Sequence, residues 1–169
     1  MYDFIFNEEE MILFQNQLRN HKKTITSAES CTGGLIASMI TEISGSSDIF
    51  NGSIVTYSNN IKTQELEVKK STLLEHGAVS IEVVEEMLTG VIKKFNADLA
   101  IAVSGIAGPN GGTKSKPVGT VVIGIKGKNI GQNIEICTFD GTRKEVQIQA
   151  AKYSLKKISK FFQKTLDKS

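Results

Sequence analysis

Apolar residues recur along this chain in two rhythms, one helical and one extended. Met11, Phe14 and Leu18 fall on one helical stripe, and Leu35, Ile36, Met39, Ile40 and Ile43 on a second. Val84, Met87, Leu88, Val91 and Phe95 form a third, and Ala151, Leu155, Ile158 and Phe162 a fourth. Capping residues mark the helix starts: Asn7 before Glu8, Glu9 and Glu10; Ser80 before Glu82; and the capping box of Thr142 with Glu145. The second helix starts near Thr32 or Gly33 and ends around Ser44-Gly45-Ser46-Ser47. Shorter helical pieces cover Ile61 to Val68 and Ser71 to His76, the latter stopped by Gly77.

Between the helices lie β-rich runs. The first begins at Thr24, and others cover Phe50 to Ser58, Asp98 to Ser104, Val118 to Lys126 and Ile130 to Phe139. Asp98 to Ser104 is continuously apolar, as expected of a central strand covered on both faces. Helices and strands alternate early, whereas the last three strands run nearly consecutively. The pattern predicts an α/β fold: a three-layer α/β/α sandwich whose sheet is mixed but mostly parallel, with antiparallel strands near the end.

Composition narrows the class. With 169 residues, 40% hydrophobic and 22% charged, the chain reads as one soluble domain over residues 1–169. A net charge of +2 gives no bulk argument for nucleic acid, and the six lysines of the last helix read as a solvated face. No apolar run is long enough to span a membrane and no signal-peptide pattern is present, so a cytoplasmic protein is expected. Cys31 and Cys137 are expected to be free thiols. His21 and His76 stand isolated, and no metal or other cofactor is expected.

Ligands of such sheets bind at the carboxyl ends of strands. Three polar segments follow strands here: Ala28–Gly34, Tyr57–Lys62 and Ser104–Thr113. Ser30 sits at a strand-to-helix turn, as a nucleophile or simply as a helix cap. A serine hydroxyl needs a base, and neither histidine is placed to serve. Lys62 can act when a lowered pKa leaves it neutral, with Tyr57 relaying the proton; the plainer alternative is a surface charge and a strand-end aromatic. Cys31 is a rival nucleophile, because a helix start lowers a thiol's pKa, or else a small buried residue. Glu29 fits a base, a ligand orienter or a cap. Thr32, Gly33 and Gly34, with the second loop of Gly105, Gly108, Gly111, Gly112 and Thr113, have the makings of an anion cradle. Neither loop is a Walker A or dinucleotide fingerprint, so the pair points only to a phosphorylated ligand.

The same residues carry a family resemblance. Thr26 to Thr41, Ser44 to Ser47, Val55 to Asn59 with Lys62, His76 to Ser80, Ser104 to Pro109 with Gly111 to Thr113, and Lys116 to Val121 resemble the CinA C-terminal domain family. The resemblance covers nearly the whole chain, in order, without the family's N-terminal molybdopterin-binding-like domain. It implies a five-stranded mixed sheet, a homodimer, and hydrolysis of nicotinamide mononucleotide to nicotinate mononucleotide and ammonia. It also implies Ser30 as nucleophile with Tyr57 and Lys62 as its activating pair. Glu29, Cys31, Thr32, Gly33, Gly34, Ser46, Gly105, Gly108, Gly111, Gly112, Thr113 and Arg143 are expected to contact the substrate. Two positions depart from the pattern: Gly52-Ser53 where Gly-Gly is common, and Gln147 where a second arginine is usual. A non-catalytic pyridine-nucleotide-binding module, linked to competence or DNA damage, is the alternative reading, and a cysteine hydrolase acting on another amide a third.

Overall fold

A computed structural model describes residues 1–169. Its helices are α1 (Glu8–Asn20), α2 (Leu35–Thr41), α3 (Asn59–Leu66), α4 (Lys70–His76), α5 (Ile81–Phe95) and α6 (Arg143–Asp167). Its strands are β1 (Ile25–Glu29), β2 (Ile54–Val55), β3 (Leu99–Gly105), β4 (Thr120–Gly127) and β5 (Gly131–Thr138). The three sequence caps all operate: the Asn7, Ser80 and Thr142 side chains accept from the Glu10, Val83 and Glu145 amides.

The five strands order as β2-β1-β3-β4-β5. β1 lies parallel to both β2 and β3, while β3, β4 and β5 pair antiparallel. Parallel and antiparallel pairings are therefore equal in number, which corrects the expectation of a mostly parallel sheet. Parallel pairing needs a crossover, usually helical. The chain instead returns from β3 to β4 through a loop closed at Ile106, whose amide donates to the Thr120 carbonyl and whose carbonyl accepts the Gly119 amide, and from β4 to β5 through a tight turn.

The second strand is also shorter than the β-rich run from Phe50 to Ser58. Only Ile54–Val55 forms a strand, with an isolated bridge between Ile25 and Phe50. Between them the Gly52 carbonyl accepts from the Thr26 hydroxyl at 2.7 Å, a side-chain bond that replaces the ladder. The second helix begins at Leu35, later than Thr32 or Gly33, because Gly33 and Gly34 take left-handed φ of +60° and +100°.

The central strand separates two cores. Leu99, Ile101 and Val103 face α1, α2 and α6; Ala100 and Ala102 face α5. The α5 side is lined by small residues, so that helix packs close. A Cβ on Gly124 would come within 2.6 Å of Val84. The same economy seats α3 against α5: a Cβ on Gly90 would stand 2.1 Å from the Leu66 carbonyl oxygen. Gly90→Ala must therefore push the two helices apart. It is expected to destabilise the fold by about 2–3 kcal/mol, read as a fall of about 5–10 °C in the thermal midpoint.

Candidate active site

The site forms where β1 and β3 end. Ser30 directly follows β1, and its amide donates to the Val103 carbonyl at 3.0 Å, which anchors it to the neighbouring strand. The chain then turns: the Gly33 amide donates back to the Ser30 carbonyl at 3.0 Å, and two left-handed glycines deliver it into α2.

Glu29 fixes this turn from inside. Its carboxylate is fully buried and accepts four hydrogen bonds. Oε1 takes the Thr32 hydroxyl and the Ile36 amide, each at 2.8 Å; Oε2 takes the Ala37 amide at 3.0 Å and the Ser27 hydroxyl at 3.1 Å. A carboxylate at the positive end of a helix, fully hydrogen-bonded, is a cap. Of the three roles open to Glu29 in the sequence, the structure selects this one, and its side chain is no substrate ligand.

Lys62 comes from α3. Its side chain is only 1% exposed, and Nζ lies 3.2 Å from Ser30 Oγ and 3.1 Å from the Thr56 carbonyl oxygen. No carboxylate pairs with it among the ion pairs of the fold. Desolvation pushes its pKa down from the ordinary lysine range, with a smaller opposing pull from Cys31. A desolvated amine against a serine hydroxyl can accept that hydroxyl's proton.

Tyr57 does not stand between them. It is 58% exposed, and its hydroxyl accepts from Arg143 Nη2 at 2.5 Å. Arg143 Nη1 also donates to the Gly108 carbonyl at 2.6 Å, so the first turn of α6 joins the tyrosine to the glycine loop. The relay through Tyr57 is replaced by direct contact of amine and hydroxyl. The rival thiol is disfavoured as well. Cys31 is packed into the core under α6, and burial pushes its thiol up to about 12, overriding the effect of the turn.

These residues surround a cleft of about 260 Å³. Ser30, Cys31, Tyr57, Lys62, Gly105, Gly108, Gly111 and Arg143 line it. Thr32, Gly33, Gly34, Gly112 and Thr113, expected as ligand contacts, stand outside its lining. Thr32 is spent on Glu29, and the Thr113 hydroxyl accepts the Lys116 amide at 3.0 Å within its own turn. Ser46 is at the wrong end: its carbonyl accepts the Ile49 and Phe50 amides beside Ile25, where β1 begins. Five residues of strand, about 15 Å, separate it from Ser30. A larger depression of about 560 Å³ lies between the N-terminal segment, α2 and α6, but Glu8, Glu9, Glu42 and Lys152 line it and no nucleophile does.

The sequence reading missed Asn59, Ala78, Val79, Ser104, Ile106, Ala107 and Asn110 as cleft residues. All but Ala78 and Val79 lay inside the segments Tyr57–Lys62 and Ser104–Thr113 already singled out, so proximity to a strand end was a usable signal. Ala78 and Val79 fall in the family motif from His76 to Ser80, but nothing in it says that it meets the site: Lys116 Nζ donates to the His76 carbonyl at 3.0 Å and fastens that loop beside the glycine loop. The amides of Ala107, Gly108, Asn110, Gly111 and Gly112 donate to no protein group. Nor do those of Cys31 and Thr32.

Fold and site together define a class: an α/β/α domain with a desolvated serine–lysine pair where its parallel strands end. The sequence pattern of the CinA C-terminal domain matches residues 8–162, and the chain belongs to that family. It is 53% identical over 131 residues to the nicotinamide-nucleotide amidohydrolase PncC of Enterobacter agglomerans, covering 78% of this chain and 80% of that one. It is 50% identical over 150 residues to a CinA-like protein of Prochlorococcus marinus (strain MIT 9312), covering 87% of this chain and 35% of that one. The chain thus spans about a third of the length of that CinA-like protein. Among solved structures, the competence/damage inducible protein CihA from Agrobacterium tumefaciens superposes with a TM-score of 0.86 at 36% identity, covering 89% of this chain and 92% of that one. A CinA superfamily protein of Escherichia coli gives 0.87 at 29% identity, covering 94% and 92%. No helix is long and apolar enough to cross a membrane.

Proposed function

We propose that this chain hydrolyses the carboxamide of nicotinamide mononucleotide, giving nicotinate mononucleotide and ammonia, with Ser30 as nucleophile and Lys62 as its base. One observation carries the reading: the buried 3.2 Å approach of Lys62 Nζ to Ser30 Oγ, with no carboxylate to hold the amine charged. The PncC relative, whose name states such an activity, supports the choice of substrate.

Ser30 Oγ attacks the carboxamide carbon as its proton passes to Lys62 Nζ. The oxygen of the tetrahedral intermediate takes the unpartnered amide of Cys31, the next residue on the turn. Such a donor contributes about 3 kcal/mol to the transition state in comparable sites. The C–N bond then breaks, the Lys62 ammonium returns its proton to the departing nitrogen, and ammonia leaves a nicotinoyl ester on Ser30. Water, deprotonated by Lys62, attacks the ester; Ser30 Oγ recovers the proton as nicotinate forms. The unpartnered amides of Ala107, Gly108, Asn110 and Gly111 are suited to the ligand's phosphate. Tyr57 offers an exposed aromatic face at the cleft mouth, held by Arg143. A pyridinium ring over it gains about 0.5–2 kcal/mol by cation–π attraction.

The direct assay is to mix the purified chain with nicotinamide mononucleotide and follow ammonia. Turnover with a stoichiometric yield of nicotinate mononucleotide is expected. Binding without ammonia would replace the enzyme reading with that of a nucleotide-binding module. Cys31→Ala is expected to keep most of the activity, because the thiol takes no part. Tyr57→Phe keeps the ring and loses only the bond to Arg143. Its kcat is expected to stay within about tenfold of the parent, a much smaller loss than removal of the base would cause.

A further inference from the structure

Two side chains of α6, one turn apart, reach the site. Arg143 grips Tyr57 and the glycine loop; Gln147 reaches the nucleophile's turn, where its Nε2 donates to the Cys31 carbonyl at 3.0 Å. We propose that Gln147 is a positioning residue for the reaction: it holds the Cys31 carbonyl so that the turn carrying Ser30, with the unpartnered amides of Cys31 and Thr32, keeps its shape. The inference rests on the amidohydrolase reading.

The turn needs such a hold. The Gly33 amide holds the Ser30 carbonyl and the Leu35 amide holds the Thr32 carbonyl, at 3.0 and 3.1 Å, but no backbone amide reaches the Cys31 carbonyl between them. Gly33 and Gly34 are left-handed, and a Cβ on Gly33 would meet nothing within 4 Å, so no side-chain packing braces the backbone there. Glu29 clamps the far side of the turn through Thr32 and the start of α2. On the near side, the Cys31 carbonyl is held by Gln147 alone. Because peptide units are planar, fixing that carbonyl fixes the plane shared by Cys31 and Thr32, and with it the Thr32 amide, which donates to no protein group. The Cys31 amide lies in the preceding plane, which the Gly33 amide holds through the Ser30 carbonyl, so the two bonds together hold consecutive planes of the turn that carries the hydroxyl. An error of about 1 Å in such a constellation can cost about a hundredfold in rate.

The experiment compares the full chain with Gln147→Met, which matches the arm's length and lacks a donor, and with Gln147→Lys, which restores one. Two readouts are taken. The first is kcat and KM for nicotinamide mononucleotide. The second is the rate at which a fluorophosphonate probe labels Ser30, with Ser30→Ala as blank; in labelling, Oγ bonds to phosphorus, fluoride leaves and Lys62 takes the proton. Gln147→Met is expected to lose about tenfold or more in both kcat and labelling rate. Its KM should stay within about twofold and its thermal midpoint should hold, and Gln147→Lys should recover most of the loss. The inference is overturned if Gln147→Met keeps both rates, if its loss appears in KM, or if the lysine variant folds without recovery. If the parent labels at Ser30 yet releases no ammonia, the substrate reading fails and the labelling ratio alone decides for or against Gln147. A parent that does neither overturns both.

Discussion

Ser30→Ala and Lys62→Met are each expected to reduce ammonia release by about a thousandfold or more, and the double variant to lose no more than either alone. The two groups act as a unit. Without the hydroxyl there is no acyl acceptor, and without the amine nothing within reach removes the hydroxyl proton. Lys62→Met is the more informative, because activity and stability should part company. Methionine fills the volume with no charge to desolvate, so the thermal midpoint should hold or rise while catalysis disappears.

The pH dependence has a definite sign. Desolvation lowers the folded pKa of Lys62, so its neutral, reactive form grows as pH rises. The parent's kcat/KM should therefore climb with pH and level off above that folded value. For stability, the unfolded chain binds the extra proton between the lowered pKa and the ordinary lysine value of about 10.4. The destabilising contribution of Lys62 is thus fully present below its folded pKa and is relieved as pH rises through the unfolded one. Lys62→Met should erase that segment of the stability curve along with the activity. A variant that keeps its kcat would remove lysine from the reaction.

The second large effect concerns Glu29. Glu29→Gln exchanges one buried carboxylate oxygen for a donor that must face other donors. Whichever oxygen is replaced, an α2 amide and a hydroxyl lose their acceptor. Unsatisfied buried donors cost about 1–3 kcal/mol each, so a total loss of about 2–4 kcal/mol is expected. In a chain of 169 residues that lowers the thermal midpoint by about 5–15 °C. Ammonia release should fall even in the fraction that stays folded, since the turn carrying Ser30 loses its inner clamp. A variant with unchanged midpoint would show that the four bonds contribute nothing net.

The helices and strands were legible because their signals are local. Caps such as Thr142 with Glu145 act over three residues, and the stripes repeat every three or four. The family motifs also singled out Ser30 and Lys62. The roles of Glu29, Tyr57 and Ser46 were not legible, because each depends on where a side chain points after packing. Glu29 and Ser30 are adjacent, yet one enters the core and the other lines the cleft. Tyr57 finds Arg143 at a separation of 86 residues, and Ser46 falls at the opposite end of β1.

By itself the sequence determined the order and kind of the elements, the capped helix starts, and the presence of a hydroxyl, an amine and two glycine-rich loops after strands. Tertiary structure alone decided that Lys62 meets Ser30, 32 residues away, without a tyrosine between them. That contact exists because Gly90 lets α3 press against α5 and because the Ser30 amide is tied to β3. Short-range hydrogen bonding and periodicity specify elements; the distance between two reactive atoms is set by the packing of elements far apart in the chain.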